Sequence, residues 1–299
     1  MARPIFAATK KYHHSSYPSI SPSRPELSLK GKNVIITGAG SGMGVDTALH
    51  FAEAGASNIA LLGRRPQLLL DTKALINKQY PSVNVFTYPT DITSSSQVEA
   101  AFSTFVSETN NSKINVLVSN AASIGPRDPI GHPNASVDAF LSSVNENLSA
   151  ATYLADSFLR YAAPDAVVVN VSSANAYLSM APIYSAYAVA KAAIIRMWDT
   201  VLVSNPKLFV YHTQPGAVDT DMNREYRAGA PKNESFSDDA SLPAAFNVWL
   251  ASEEARFLNG RFVWANWDVD ELKERKEEIQ KSDEFKFSNV GWMRYPPGE

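Results

Sequence analysis

The sequence predicts a single-domain α/β fold, a doubly wound parallel sheet of about seven strands with helices on both faces. Two observations carry this. β-rich runs alternate with helix-length stretches from residue 33 to residue 264, the pattern of βαβ units. A glycine-rich turn, Gly38-Ala-Gly40-Ser-Gly42-Met-Gly44, also lies between the first β-rich run and the first helical stretch. With 299 residues and 45% hydrophobic content the chain can bury a sizeable core.

Residues 1 to about 30 include Tyr17-Pro18-Ser19-Ile20-Ser21-Pro22-Ser23-Arg24-Pro25. Prolines at this density forbid helix interiors and sheet ladders, so an extended arm is expected, laid on the body or disordered. Asn33-Val-Ile-Ile-Thr37 is the first strand, and Val45 to Ala54 belong to the first helix. Glycine suits the turn between them because the backbone needs unusual angles there, and a Cβ would keep a pyrophosphate from the helix N-terminus. Strand, glycine turn and helix together make a Rossmann-type dinucleotide site.

The second strand, Asn58 to Leu62, ends in Gly63-Arg64-Arg65. Folds that select NAD place an acid about 20 residues beyond the glycines for the ribose 2′-hydroxyl. Two guanidinium groups here suit a 2′-phosphate instead, so NADP(H) is the expected cofactor. A helix over about 67–79, a strand at 83–86, a helix over about 95–109 and a strand at 114–118 continue the alternation. Next come a long helix over about 136–162, a strand at 166–171, a helix over 185–204 and a strand at 208–212. A polar, Gly- and Pro-punctuated stretch at about 220–240 reads as a lid, and a helix over 241–252 and a strand at 261–264 close the catalytic domain, taken as residues 31–268. Residues 269–299 form a tail whose segment 270–281 is expected to be a charged helix with a solvated face.

A formal net charge of −3 gives no basic footprint for nucleic acid. No apolar stretch reaches the ~20 residues that span a bilayer. The absence of cysteine excludes disulfides and thiolate metal sites, and the five scattered histidines suggest no metal. No signal or transit segment is evident, so a cytoplasmic protein acting on a small molecule is the simplest reading.

Tyr187 and Lys191 stand four apart at the start of the 185–204 helix, hence on one face. A neighbouring ammonium favours the phenolate and draws tyrosine toward general acid–base duty. Such a spacing alone is weak, since most helical tyrosines pack against the core. Ser173, just beyond the strand 166–171, would lie where open α/β sheets place ligands.

Taken together, these motifs resemble the short-chain dehydrogenase/reductase family over residues ~30 to ~265. Thr37-Gly38-x-x-x-Gly42-x-Gly44 is similar to its cofactor turn, Asp91 to its adenine-pocket acid, and Asn120-Ala121 to its Asn-Ala-Gly element. The resemblance implies a catalytic set of Asn147, Ser173, Tyr187 and Lys191, with Asn147 preferred over Asn145 for a water-linked proton relay. It implies cofactor contacts from Gly38, Ser41, Gly42, Met43, Gly44, Asp91, Ile92, Asn120, Ala121, Tyr187, Lys191, Pro215, Gly216, Val218 and Thr220, joined by Arg64 and Arg65. It further implies the strand order 3-2-1-4-5-6-7 and a homodimer or homotetramer built on the helices 136–162 and 185–204. Ser119, Ala122 and Ala150 depart from the family pattern at positions where their small size leaves the scaffold intact. The arm and the ending Gly260 to Leu272 are similar to a fungal biosynthetic branch.

Tyr177, Leu178, Met180, Ile183, Tyr184, Met222 and Tyr226 are candidates for a wide apolar pocket. The activity expected is NADP(H)-dependent interconversion of a bulky ketone and a secondary alcohol in secondary metabolism. A redox-neutral isomerase, dehydratase or cyclase on the same scaffold is the alternative.

Overall fold

The computed structural model describes residues 7–178, 184–227 and 237–288. Seven parallel strands form one sheet: β1 (Asn33–Thr37), β2 (Asn58–Gly63), β3 (Asn84–Pro89), β4 (Ile114–Ser119), β5 (Ala162–Val171), β6 (Phe209–Gln214) and β7 (Arg261–Trp264). Their order is β3-β2-β1-β4-β5-β6-β7, the order that the resemblance implies. The helices are α1 (Met43–Glu53), α2 (Pro66–Gln79), α3 (Ser95–Glu108), α4 (Val137–Tyr161), α5 (Ser185–Ser204), α6 (Asp221–Arg227), α7 (Ser241–Leu250), α8 (Val269–Glu274) and α9 (Lys276–Lys281).

Val34–Ile36 of β1 and Ile59–Leu62 of β2 are buried without a break because helices cover both faces of the sheet there. Successive side chains take opposite sides. Val34 and Ile36 of β1 join Phe51, Leu69, Phe246 and Trp249 beneath α1, α2 and α7. Ile35 between them joins Phe102, Phe105, Phe158 and Trp198 beneath α3, α4 and α5. Among the described residues, no helix is long and apolar enough to cross a membrane.

Beyond shifts of one to three residues at element ends, as at β3, β6 and α7, three segments differ from expectation. β5 begins at Ala162, four residues early, because Ala162 pairs with Ile114 before a register shift restores regular pairing from Val167. Within the tail, residues 269–281 form two short helices broken at Arg275, with Val269, Leu272 and Ile279 buried in the core, and residues 289–299 lie outside the described residues. The start of the expected lid, residues 221–227, is helical, and residues 228–236 lie outside the described residues.

Residues 7–30 lie against the C-terminal segment. Tyr12 bridges antiparallel to Trp267, and the His13 backbone N–H donates to Asn266 O at 2.8 Å. The Tyr17 hydroxyl donates to Trp267 O and accepts from Val269 N–H, at 3.1 and 2.9 Å. Arg24 pairs with Glu254 at 2.7 Å.

Candidate active site

A parallel sheet gathers the loops after its strands at one edge, and the crevice opens where the strand order reverses, here between β1 and β4. A cleft of about 560 Å³ runs along that edge. It is lined in turn by the glycine turn after β1, Arg64 and Arg65 after β2, and Asp91 and Ile92 after β3. Asn120 and Ala121 follow β4, Ser173 follows β5, and Pro215, Gly216 and Thr220 follow β6.

The glycine turn is held by backbone contacts no other residue would allow at its last position. A Cβ on Gly44 would lie 2.1 Å from Gly38 O, so Gly44 keeps α1 against β1 and does not itself line the cleft. Thr37 Oγ1 accepts from the N–H groups of Asn120 and Ala121 at 2.9 and 3.0 Å. Asn120 Nδ2 returns a bond to Thr37 O at 2.9 Å, locking the ends of β1 and β4 together.

On the β2–β3 side, Arg65 donates to Ser41 Oγ at 3.1 Å and Arg64 is exposed. Bonds from the Thr93 hydroxyl and N–H hold the Asp91 carboxyl below its ordinary range, with Arg64 adding a smaller pull in the same direction.

On the β5 side, Lys191 is buried and donates from Nζ to Val171 O at 2.7 Å. Its Nζ stands 5.5 Å from the Tyr187 ring centre. Burial pushes the ammonium down from 10.5 to about 8, so it still holds its proton at neutral pH. Ser173 lines the cleft at the start of a 3₁₀ turn, where its hydroxyl accepts from Asn175 N–H at 3.3 Å. Asn147 is buried on α4. Its Nδ2 donates to Ser143 O at 2.9 Å, and its Oδ1 accepts from Ser123 N–H at 3.1 Å. Asn145 is exposed and lies off the cleft.

All four members of the expected catalytic set therefore line one cleft. Val218 does not: it is buried, bridges to Asp238, and gives its carbonyl to Asn223 Nδ2 at 2.7 Å. The expected apolar pocket is also redrawn. Tyr184 is in the core, Leu178 is half-buried against it, and Tyr177 turns toward β7, accepting from Trp264 Nε1 at 2.7 Å. Met222 does line the cleft, the Tyr226 backbone is in α6, and Met180 and Ile183 lie outside the described residues.

Sequence reasoning missed Tyr12, Ile124, Trp264, Asp238 and Asn266, which complete the cleft wall. The one signal available was the polar aromatic run Tyr12-His13-His14 inside an otherwise Ser- and Pro-rich arm.

A family model described as short chain dehydrogenase matches residues 32–231. A short chain dehydrogenase/reductase of Claviceps purpurea is 34% identical over 276 residues, covering 91% of this chain and 90% of that protein. AacuD, a short chain dehydrogenase/reductase of Aspergillus aculeatus, is 31% identical over 280 residues, covering 93% and 94%. The solved structure of the NADPH-dependent 3-quinuclidinone reductase of Rhodotorula rubra is similar in fold, with a TM-score of 0.71 at 22% identity, over 87% of this chain and 98% of that one. A family match running from β1 through β6, with fungal relatives aligned along nearly all of both chains, makes this chain a member of the short-chain dehydrogenase/reductase family.

Proposed function

We propose that this oxidoreductase uses NADP(H) to interconvert a bulky, largely apolar ketone and its secondary alcohol, with Tyr187 as general acid and base, in fungal secondary metabolism. The observation that carries the reading is the buried Lys191 ammonium beside the Tyr187 ring, in the same cleft as the glycine turn.

The residues present fit a dinucleotide. At Gly38 and Gly42 a Cβ would press on Asn120 and Thr220, so the turn offers bare backbone to a phosphate. Arg64 and Arg65 line the adjoining rim and suit a 2′-phosphate. When bound, NADP(H) supplies or accepts the hydride.

The chain's own groups handle the proton and the substrate oxygen. The Tyr187 hydroxyl donates a proton to that oxygen in reduction and takes one in oxidation. Lys191 favours the phenolate by its charge, and the Ser173 hydroxyl donates a hydrogen bond to the same oxygen. A void of about 10 Å³ touches both Asn147 and Lys191, the size of a single water, which supports a relay between them. Ile124, Met222, Trp264 and Tyr12 give the cleft an apolar and aromatic wall, which supports a bulky substrate. Exposed Val137 and Leu141 on α4 and Val189 and Val203 on α5 support a homodimer or homotetramer built on these helices.

The test is NADPH oxidation, compared with NADH, against a panel of bulky aromatic and polycyclic ketones. Turnover should prefer NADPH and fall by about 10²–10⁴-fold in Tyr187→Phe. Preference for NADH would refute the role given to Arg64 and Arg65. Product formed without cofactor consumption would replace the reading with a redox-neutral one.

A further inference from the structure

The loop after β6 carries the cleft residues Pro215, Gly216 and Thr220, and among the described residues it reaches α6 with one bridge, Val218 to Asp238, as its strand pairing. Its shape is imposed from elsewhere. Gly216 sits at φ +99°, in the left-handed region that glycine adopts without strain, and a Cβ there would lie 2.6 Å from Asp238 Oδ2. The same Oδ2 accepts from Ala217 N–H at 2.6 Å, and the Asp238 N–H donates back to Ala217 O at 3.3 Å.

Asp238 is in turn held by the N-terminal arm. His14 Nδ1–H donates to Asp238 Oδ1 at 2.5 Å, and His14 O accepts from Asp239 N–H at 2.7 Å. The Ser237 hydroxyl adds a longer bond to Oδ1 at 3.3 Å. The carboxylate is buried, so its two oxygens link the arm on one side to the loop on the other. Both Asp238 and the arm residue Tyr12 line the cleft.

We propose that the arm is a working part of the cofactor site: His14, acting through Asp238, holds the Pro215–Val218 loop, which follows β6 beside Ser173 and at the opposite end of the cleft from Arg64, Arg65 and Asp91, in the shape that receives the nicotinamide half of the dinucleotide. Both are positioning residues, and the proposal rests on the cofactor reading above. The arm keeps its other ties, Tyr17 to Trp267 and Val269 and Arg24 to Glu254, so loss of the His14 side chain leaves it docked.

The test compares two ligands on the full chain, NADPH and adenosine 2′,5′-bisphosphate, which lacks the nicotinamide half. His14→Ala should weaken NADPH by about three- to tenfold, the worth of one hydrogen bond, and leave the bisphosphate within about twofold. His14→Asn, whose Nδ2 falls near the place of Nδ1, should restore NADPH affinity. His14→Ala combined with Asp238→Ala should be no worse than Asp238→Ala alone. Equal weakening of both ligands would reduce the arm to a structural support and overturn the proposal, as would unchanged NADPH affinity. If the wild type prefers NADH, the same comparison with NADH and AMP decides the clamp separately from the cofactor assignment. A wild type that binds neither dinucleotide overturns both.

Discussion

Lys191→Met removes a buried charge and keeps the length of the side chain, so it isolates what ionisation at this position costs the fold. In the wild type the ammonium titrates near 8 when folded and near 10.5 when unfolded, because burial disfavours the charged form. Below pH 8 both states hold the proton and the folded state carries the full desolvation penalty. As pH rises from 8 toward 10.5, the unfolded chain keeps a proton that the folded chain has released, so stability rises with pH across that window. At about 1.4 kcal/mol per pH unit, the gap amounts to about 3 kcal/mol. The lost bond to Val171 O offsets part of the gain from Lys191→Met at neutral pH, but that loss does not titrate. Buried tyrosines such as Tyr17 and Tyr211, held above their ordinary range by desolvation, erode stability at the alkaline end in both proteins alike and cancel in the difference. Urea unfolding of the cofactor-free protein at several pH values is the assay. The wild type should gain about 3 kcal/mol on the variant between about pH 7.5 and pH 10.5. Parallel stability curves for the two proteins would refute the assignment of a desolvated ammonium.

The remaining expectations are quickly stated. Replacing both Arg64 and Arg65 by Ala should raise KM for NADPH by about 10–100-fold while leaving KM for NADH within about threefold, measured by steady-state kinetics. Gly44→Ala puts a Cβ against Gly38 O and its carbonyl carbon, both backbone and unable to yield. The cost should exceed about 3 kcal/mol by denaturant titration, with dinucleotide binding lost as well. Arg24→Ala breaks a partly solvated pair with Glu254, which keeps bonds from Trp249 and Lys273. Its effect on the same titration should stay below about 1 kcal/mol.

What could be read in the sequence follows the range of the interactions involved. β1, the glycine turn and α1 are contiguous, so strand propensity, turn chemistry and helical period all act between Asn33 and Glu53 and agree. Tyr187 and Lys191 were legible for the same reason, being one helical turn apart. Choosing Asn147 over Asn145 rested on a motif, and the structure gives the physical difference as burial on the inner face of α4. The Tyr184 position failed because an aromatic beside an active-site stretch looks the same whether it packs inward or lines a cleft. The start of β5 was missed because the helical stretch was carried to about 162 and the strand begun at the apolar run 166–171, while pairing of Ala162 with Ile114 of β4, a contact distant in sequence, starts the strand earlier. The His14 to Asp238 contact spans 224 residues of chain. No local pattern encodes a partner at that distance, and a histidine in a Pro-rich arm carries no sign of the carboxylate it meets.

The same geometry explains why folding and function are hard to separate here. Parallel strands end with carbonyls and amides that their neighbours do not pair, and a buried unpaired group is costly. In this chain the cleft's own side chains satisfy them. Asn120 takes Thr37 O at the end of β1, Lys191 takes Val171 O at the end of β5, and Asp238 takes Ala217 N–H beyond β6. The groups that would orient cofactor and substrate are therefore also the caps of the sheet. Truncating any of them removes a cap together with a site residue, so loss of activity alone cannot distinguish the two roles. A measurement that divides the ligand does, because a lost cap weakens every part of the cleft while a lost positioning contact weakens only the half it faces.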